Sequence, residues 1–173
     1  ADPFGVLFAL VASGLWIVTS IYSIGYMRGN DEKKQTRYFA SFAMSLSATL
    51  GVAFAGNLLT FLLFYELLTL ATYPLVVHKE SPEAVRAGRM YLAYALTAGL
   101  VFMVASVFVW LRTGSMDFVG GGALGSGEFS AAELKFLFVC FIAAVGVKAG
   151  VMPMHSWLPA AMVAPTPVSA LLH

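Results

Sequence analysis

Charge is scarce in this sequence. Only 11% of the 173 residues are charged, ten Lys and Arg against nine Asp and Glu, where soluble domains carry about a quarter. A formal net charge of +1 supplies no basic field to recruit nucleic acid. Cysteine is nearly missing too: Cys140 stands alone, so no internal disulfide can form and the redox compartment is not readable. No Cys, His and carboxylate side chains recur at metal-ligand spacing, so no metal site is implied. No Gly-rich phosphate loop follows a strand and no nucleophile triad is visible, so the residues call for no cofactor. Ala1-Asp2-Pro3 offers neither an initiator Met nor a basic leader, and no signal peptide is read there. Leu171-Leu172-His173 falls inside a rising helix. Both ends read as cut from a longer protein.

Apolar residues fill the space that charge leaves. They make up 60% of the chain, mean hydropathy is +0.83, and Phe at 14 is twice as frequent as Tyr at 7. Asp2 and Arg28 bracket 25 uncharged residues, and a helix across a hydrocarbon core needs ~20. Between Tyr38 and Val77 only Glu66 interrupts the uncharged run, which suits two spans joined by a turn at Gly56-Asn57. Ser81 reads as the cap of the next helix, with Pro82 in its first position and Glu83 at its positive end. A Gly-rich loop, Thr113 to Gly127, follows. Ser130 and Glu133 then form a capping box. Beyond it Pro153 removes a backbone donor, so the helix should break near Met152-Pro153 and resume as a half-helix, about 154–162. Thr166-Pro167 starts another.

The fold expected is therefore an all-α polytopic membrane protein, with five transmembrane helices, the fifth discontinuous near Pro153, and the start of a sixth. The spans fall at about 4–27, 38–55, 57–77, 82–111, 131–163 (broken) and 167–173, in one fragment of a transmembrane domain. With five crossings, Arg28, Lys33, Lys34 and Arg37 share a side with Lys79, Arg86 and Arg89, against Arg112 and Lys135 opposite. The positive-inside rule puts the larger group in the cytoplasm, where both clusters read as solvated loops.

Two charges remain at mid-depth. Glu66 lies nine residues into its span, ~14 Å at the helical rise. A carboxylate there costs about 3 kcal/mol or more unless it is neutral, paired or wet. Thr69 and Tyr73 recur on its face at i+3 and i+7, as supporting candidates. Lys148 lies about twelve residues past Phe136, just before the break, among Ala143, Ala144, Gly146, Ala149 and Gly150, small enough for close helix approach or water. Burial disfavours its ammonium and a neighbouring carboxylate favours it, so a mobile charge nearby can switch it. His155 and His173 flank the same region and suit a proton relay. The bland alternatives are a Glu that glues helices, a snorkelling Lys and structural histidines. A Glu, a Lys and a His beside a broken helix (Gly150, Pro153) point to ion translocation.

Lys148-Ala-Gly-Val-Met-Pro-Met-His155-Ser-Trp157-Leu-Pro159 and Ala164-Pro-Thr-Pro-Val-Ser-Ala-Leu-Leu-His173 resemble the core of the antiporter-like subunits. Those subunits occur in respiratory complex I, Mrp-type cation/proton antiporters and membrane-bound hydrogenases. Phe64-Tyr65-Glu66-Leu67 is similar to the family's glutamate-bearing helix, and Ala1-Asp2-Pro3 to the start of an earlier one. The resemblance implies Glu66 as modulating carboxylate, Lys148 as central proton carrier on a discontinuous helix, and His173 as a relay onward. It also implies a larger subunit built from inverted repeats, the lipid bilayer and other membrane subunits as partners, and redox chemistry housed elsewhere. Ala160 departs from the family, many of whose members carry an acidic residue there. Three readings stay open: an ion-translocating subunit moving protons, Na⁺ or K⁺, multi-pass in an inner or plasma membrane; a proton-pumping subunit of an NADH:quinone oxidoreductase, the only reading with an enzyme in it; and a non-transporting scaffold.

Overall fold

The first helix begins where the sequence offers a cap. In the computed structural model, which describes residues 2–120, 122, 124 and 129–172, Asp2 accepts the Gly5 amide at 2.6 Å and Pro3 opens α1 (Pro3–Gly29). Asn57 accepts Thr60 N at 2.7 Å to start α3 (Leu58–Val76), after α2 (Gln35–Ala53) has ended. Ser81 caps α4 (Pro82–Thr113), and the Ser130/Glu133 capping box opens α5 (Ala131–Lys148). Each such cap is worth about 1 kcal/mol, which makes the helix starts sharp. Two short helices follow, α6 (Trp157–Ala161) and α7 (Thr166–Leu172). Among the described residues no strand forms; a single antiparallel bridge joins Asn57 to Asp117.

That bridge corrects one expectation. The stretch from Thr113 was read as a plain loop, but Leu58 N donates to Met116 O (2.9 Å) and Phe118 N to Gly56 O (3.0 Å), strapping it to the α2–α3 turn. Part of the expected loop, residues 121, 123 and 125–127, lies outside the described residues.

The bundle is sequential: α2 packs on α3, α3 on α4, α4 on α5, with α1 against α2 and α7, and α6 returning to α4. The fourth helix is the spine. Its buried face repeats at Tyr91, Ala95, Ala98, Phe102, Ala105 and Val109, alternating spacings of four and three. Small residues on that face let α3 and α5 approach closely.

Among the described residues the structure has seven helices, the two pieces of the discontinuous fifth (α5 and α6) and the start of the next (α7) counted separately. Three of them, α1, α3 and α4, are long and apolar enough to cross a membrane. At ~48 Å, α4 exceeds a ~30 Å hydrocarbon core, so it tilts or projects. Glu133, Lys135 and Lys148 charge α5, and Ser41, Ser45, Ser47 and Thr49 make α2 hydroxyl-rich. Length and apolarity alone therefore miss these two.

The basic loops are more than solvated charge. Lys34 and Arg37 each reach Glu80 at 2.6 Å, and Arg37 also donates to the His78 carbonyl at 3.2 Å. His78 is buried under Tyr38, with Glu32 3.7 Å from Nε2. Together they latch the α1–α2 turn to the α3–α4 turn. Hydrogen bonds from Lys34 and Arg37 hold the Glu80 carboxyl well below the usual range, at about 2, and burial pushes His78 below its ordinary value.

Both shifts have one consequence for pH. A depressed carboxylate contributes stability above its unfolded value of 4.5 and loses it as pH falls toward 2. A histidine held neutral by burial contributes above 6.5 and loses it below. Hydrogen-exchange protection at residues 31–38 and 78–81, corrected for intrinsic rates, is thus expected to fall on acidification. Glu80→Gln should lower that protection at neutral pH and flatten the acid limb below 4.5.

Candidate functional site

The fifth helix stops because of a glycine. Gly150 takes φ +63°, Gly150 N donates to Val147 O at 3.1 Å, and Val151 N reaches back to Gly146 O at 2.9 Å. This is a Schellman closure, with the left-handed residue that glycine supplies without a Cβ penalty. Helical backbone therefore ends at Lys148, a few residues before the expected break at Met152-Pro153. Pro153 falls in the turn that follows, and α6 begins only at Trp157. The turn is anchored by the Trp157 indole, whose Nε1 donates to Val147 O at 2.7 Å. Tyr65 on α3 does the same one turn earlier, its hydroxyl donating to Ala144 O at 2.9 Å.

Lys148, last residue of α5, turns its ammonium toward α3 and α4. Nζ donates to Thr69 Oγ1 at 2.8 Å and to Tyr91 OH at 3.3 Å. It also lies 5.0 Å from the Tyr65 ring centroid and 5.5 Å from that of Tyr91, within cation–π range. The hydroxyls are ordered to receive it. Thr69 gives its proton to Tyr65 O, and Thr72 gives its own to Leu68 O, so Tyr91 donates to Thr72 and keeps lone pairs for Lys148. Beside this group lies a cavity of about 80 Å³ lined by Thr49, Thr72, Tyr91 and Lys148 and closed by Leu171 and Leu172 of α7. It is polar and roomy enough for water.

Glu66 stands one turn from Thr69 on the same helix. No ion pair or hydrogen bond joins it to Lys148 among the described residues. Its Oε1 is buried without a partner and lies against Gly99 of α4. Thr69 thus meets Lys148. Tyr73 does not join the polar group; it packs against Gly88 beside the Tyr91–Trp157 cluster. His155 sits half-buried in the turn before α6, its Nδ1 unpartnered. His173 lies outside the described residues.

Sequence reasoning missed Tyr65, Thr72, Tyr91, Trp157 and Gly99. Thr72 was findable, at i+3 from Thr69 and i+6 from Glu66. Tyr91 and Gly99 come from another helix, and nothing local to α3 or α5 signals them.

The chain resembles known proteins throughout its length. A family model described as "NADH:quinone oxidoreductase/Mrp antiporter, TM" matches residues 55–173. Hydrogenase-4 component B of Escherichia coli (strain K12) is 30% identical over 99% of this chain and 25% of its own length. A probable K(+)/H(+) antiporter protein of Rhizobium meliloti (strain 1021) is 31% identical over 99% of the chain and 17% of its own. The chain thus spans a quarter or less of these relatives. Among solved structures, a chain of the membrane-bound sulfane sulfur reductase, described as an archaeal respiratory membrane complex, superposes with a TM-score of 0.87 over 97% of this chain and 34% of its own; at 20% identity it speaks for the fold alone.

The hydroxyl group predicts a non-additive pair. Tyr91→Phe removes one acceptor from Lys148 and the donor to Thr72, costing about 1–2 kcal/mol in thermal unfolding of the detergent-purified protein. Thr72→Val should cost a similar amount, and the double variant clearly less than the sum.

Proposed function

Because the chain belongs to the NADH:quinone oxidoreductase/Mrp antiporter transmembrane family, we propose that it is part of an ion-translocating subunit in which Lys148 carries the proton and Glu66 sets its charge. The one observation that carries this reading is the bed of the ammonium. Lys148 rests on two neutral hydroxyls and two aromatic faces, not on a carboxylate. A tight ion pair at low dielectric would pin the proton. A hydroxyl bed accepts hydrogen bonds from the ammonium and equally from the two N–H groups left on the neutral amine, so both forms are housed.

The site is then a switch with three parts. Glu66 supplies a charge that is felt without contact. The Thr49/Thr72/Tyr91 cavity leads from Lys148 toward α7. His173 follows Leu172 directly in sequence and serves as the onward relay, while His155, in the turn below the break, assists. In this reading α2 and α5 cross the bilayer with α1, α3 and α4, giving five crossings, their hydroxyls and charges turned inward where protein satisfies them. The Lys34/Arg37 end faces the cytoplasm, in a plasma or inner membrane. The wider subunit works inside a multi-subunit membrane complex and moves protons, alone or in exchange for Na⁺ or K⁺.

The test uses the full-length subunit in its assembly, reconstituted in liposomes. Lys148→Ala should abolish coupled transport. Lys148→Arg should keep the charge and the contacts to Thr69 and Tyr91 yet also fail, because guanidinium does not release its proton. An Arg variant that transports at the wild-type rate would make Lys148 an electrostatic post.

A further inference from the structure

Glycine is the least favourable residue after proline in a helix interior, so Gly99, midway along α4, calls for a reason. Ala95, Ala98 and Ala105 on the same buried face show that alanine suffices for close packing there. At Gly99 it does not suffice. A Cβ at this position would overlap Glu66 Oε1, and the carboxyl carbon would stand only 2.6 Å away. The other α3 side chains that fill glycine hollows are aromatic: Phe64 lies over Gly51 of α2 and Tyr73 over Gly88. At Gly99 the occupant is instead a carboxyl group, and the oxygen pressed into the hollow is buried without a hydrogen-bond partner.

The geometry points to Gly99 as a positioning residue for Glu66: by lacking a side chain it lets one carboxylate oxygen enter a hollow on α4, and so sets the separation of that carboxylate from Lys148. The inference rests on the carrier reading given above. With a methyl group in the hollow, the carboxylate must swing about its own torsions, toward Lys148 and Thr69 or away from them. Interaction between the two charges falls with distance and rises in low dielectric, so either swing changes the coupling. An ordinary packing glycine would affect assembly alone.

The experiment compares Gly99→Ala, Gly88→Ala and the double variant Gly99→Ala/Glu66→Asp in the intact assembly in liposomes. Three quantities are read: the amount of assembled complex, the ion-exchange rate, and the Glu66 carboxyl stretching band in infrared difference spectra, assigned by its loss in Glu66→Gln. Gly99→Ala should displace the band and lower exchange by about tenfold or more, a size that small misplacements reach. Shortening the acid by one methylene in the double variant should restore assembly and much of the rate. Gly88→Ala, whose Cβ meets only Val77 and Tyr73, should leave the band in place. The inference is overturned if the band stays put in Gly99→Ala, if Gly88→Ala displaces it equally, or if Gly99→Ala is lost from the complex and aspartate does not rescue it. Wild-type transport by Glu66→Gln would instead sink the carrier reading, with the band still deciding the role of Gly99.

Discussion

The rest of the structure depends on where one ammonium group can be kept. An unpaired charge is costly to bury, and Lys148 meets that cost with Thr69, Tyr91 and the rings of two tyrosines. Three helices must meet for this to happen. The third presents Thr69 and Thr72 on one face, the fourth brings Tyr91, and the fifth must end on the lysine itself. Gly150 provides that ending, and Trp157 and Tyr65 hold its last carbonyls from either side. A cation at a helix C-terminus also sits at the negative end of the helix dipole. The break in the fifth helix and the seating of the lysine are therefore one feature.

The arrangement is poised rather than locked. A buried pair in direct contact would be hard to separate, whereas among the described residues no ion pair or hydrogen bond joins Glu66 to Lys148. On the reading proposed above, movement of either side chain changes their separation and with it their interaction. On that same carrier reading, the cavity toward α7 would receive a proton leaving Lys148; the Glu80 latch ties together the loops on the basic side, outside the apolar helices.

Much of the helical order was legible because caps are local. Ser81 and the Ser130/Glu133 box announce helix starts through side chains within three residues. The lysine and the glutamate stood out because charge is so rare here. The helix break was assigned to Gly150 and Pro153 together; the left-handed Gly150 closes the helix, and Pro153 falls in the turn beyond it. Tyr91 and Gly99 were invisible for a deeper reason. Their roles are fixed by what α3 and α5 place opposite them, and the periodicity of α4 marks its buried face without saying which side chain meets it there. The crossing count was the least legible element, since the hydroxyls and charges that make α2 and α5 useful inside a bundle also make them poor apolar spans.

The claim on which the account turns is that Glu66 governs Lys148 through its charge and not through its shape. The most direct measurement is ion-coupled proton flux in liposomes containing the intact assembly with Glu66→Gln, an amide of nearly the same size and outline. The account predicts full assembly with most of the coupled flux lost. Flux at the wild-type rate would contradict it and leave Glu66 as a packing group against Gly99.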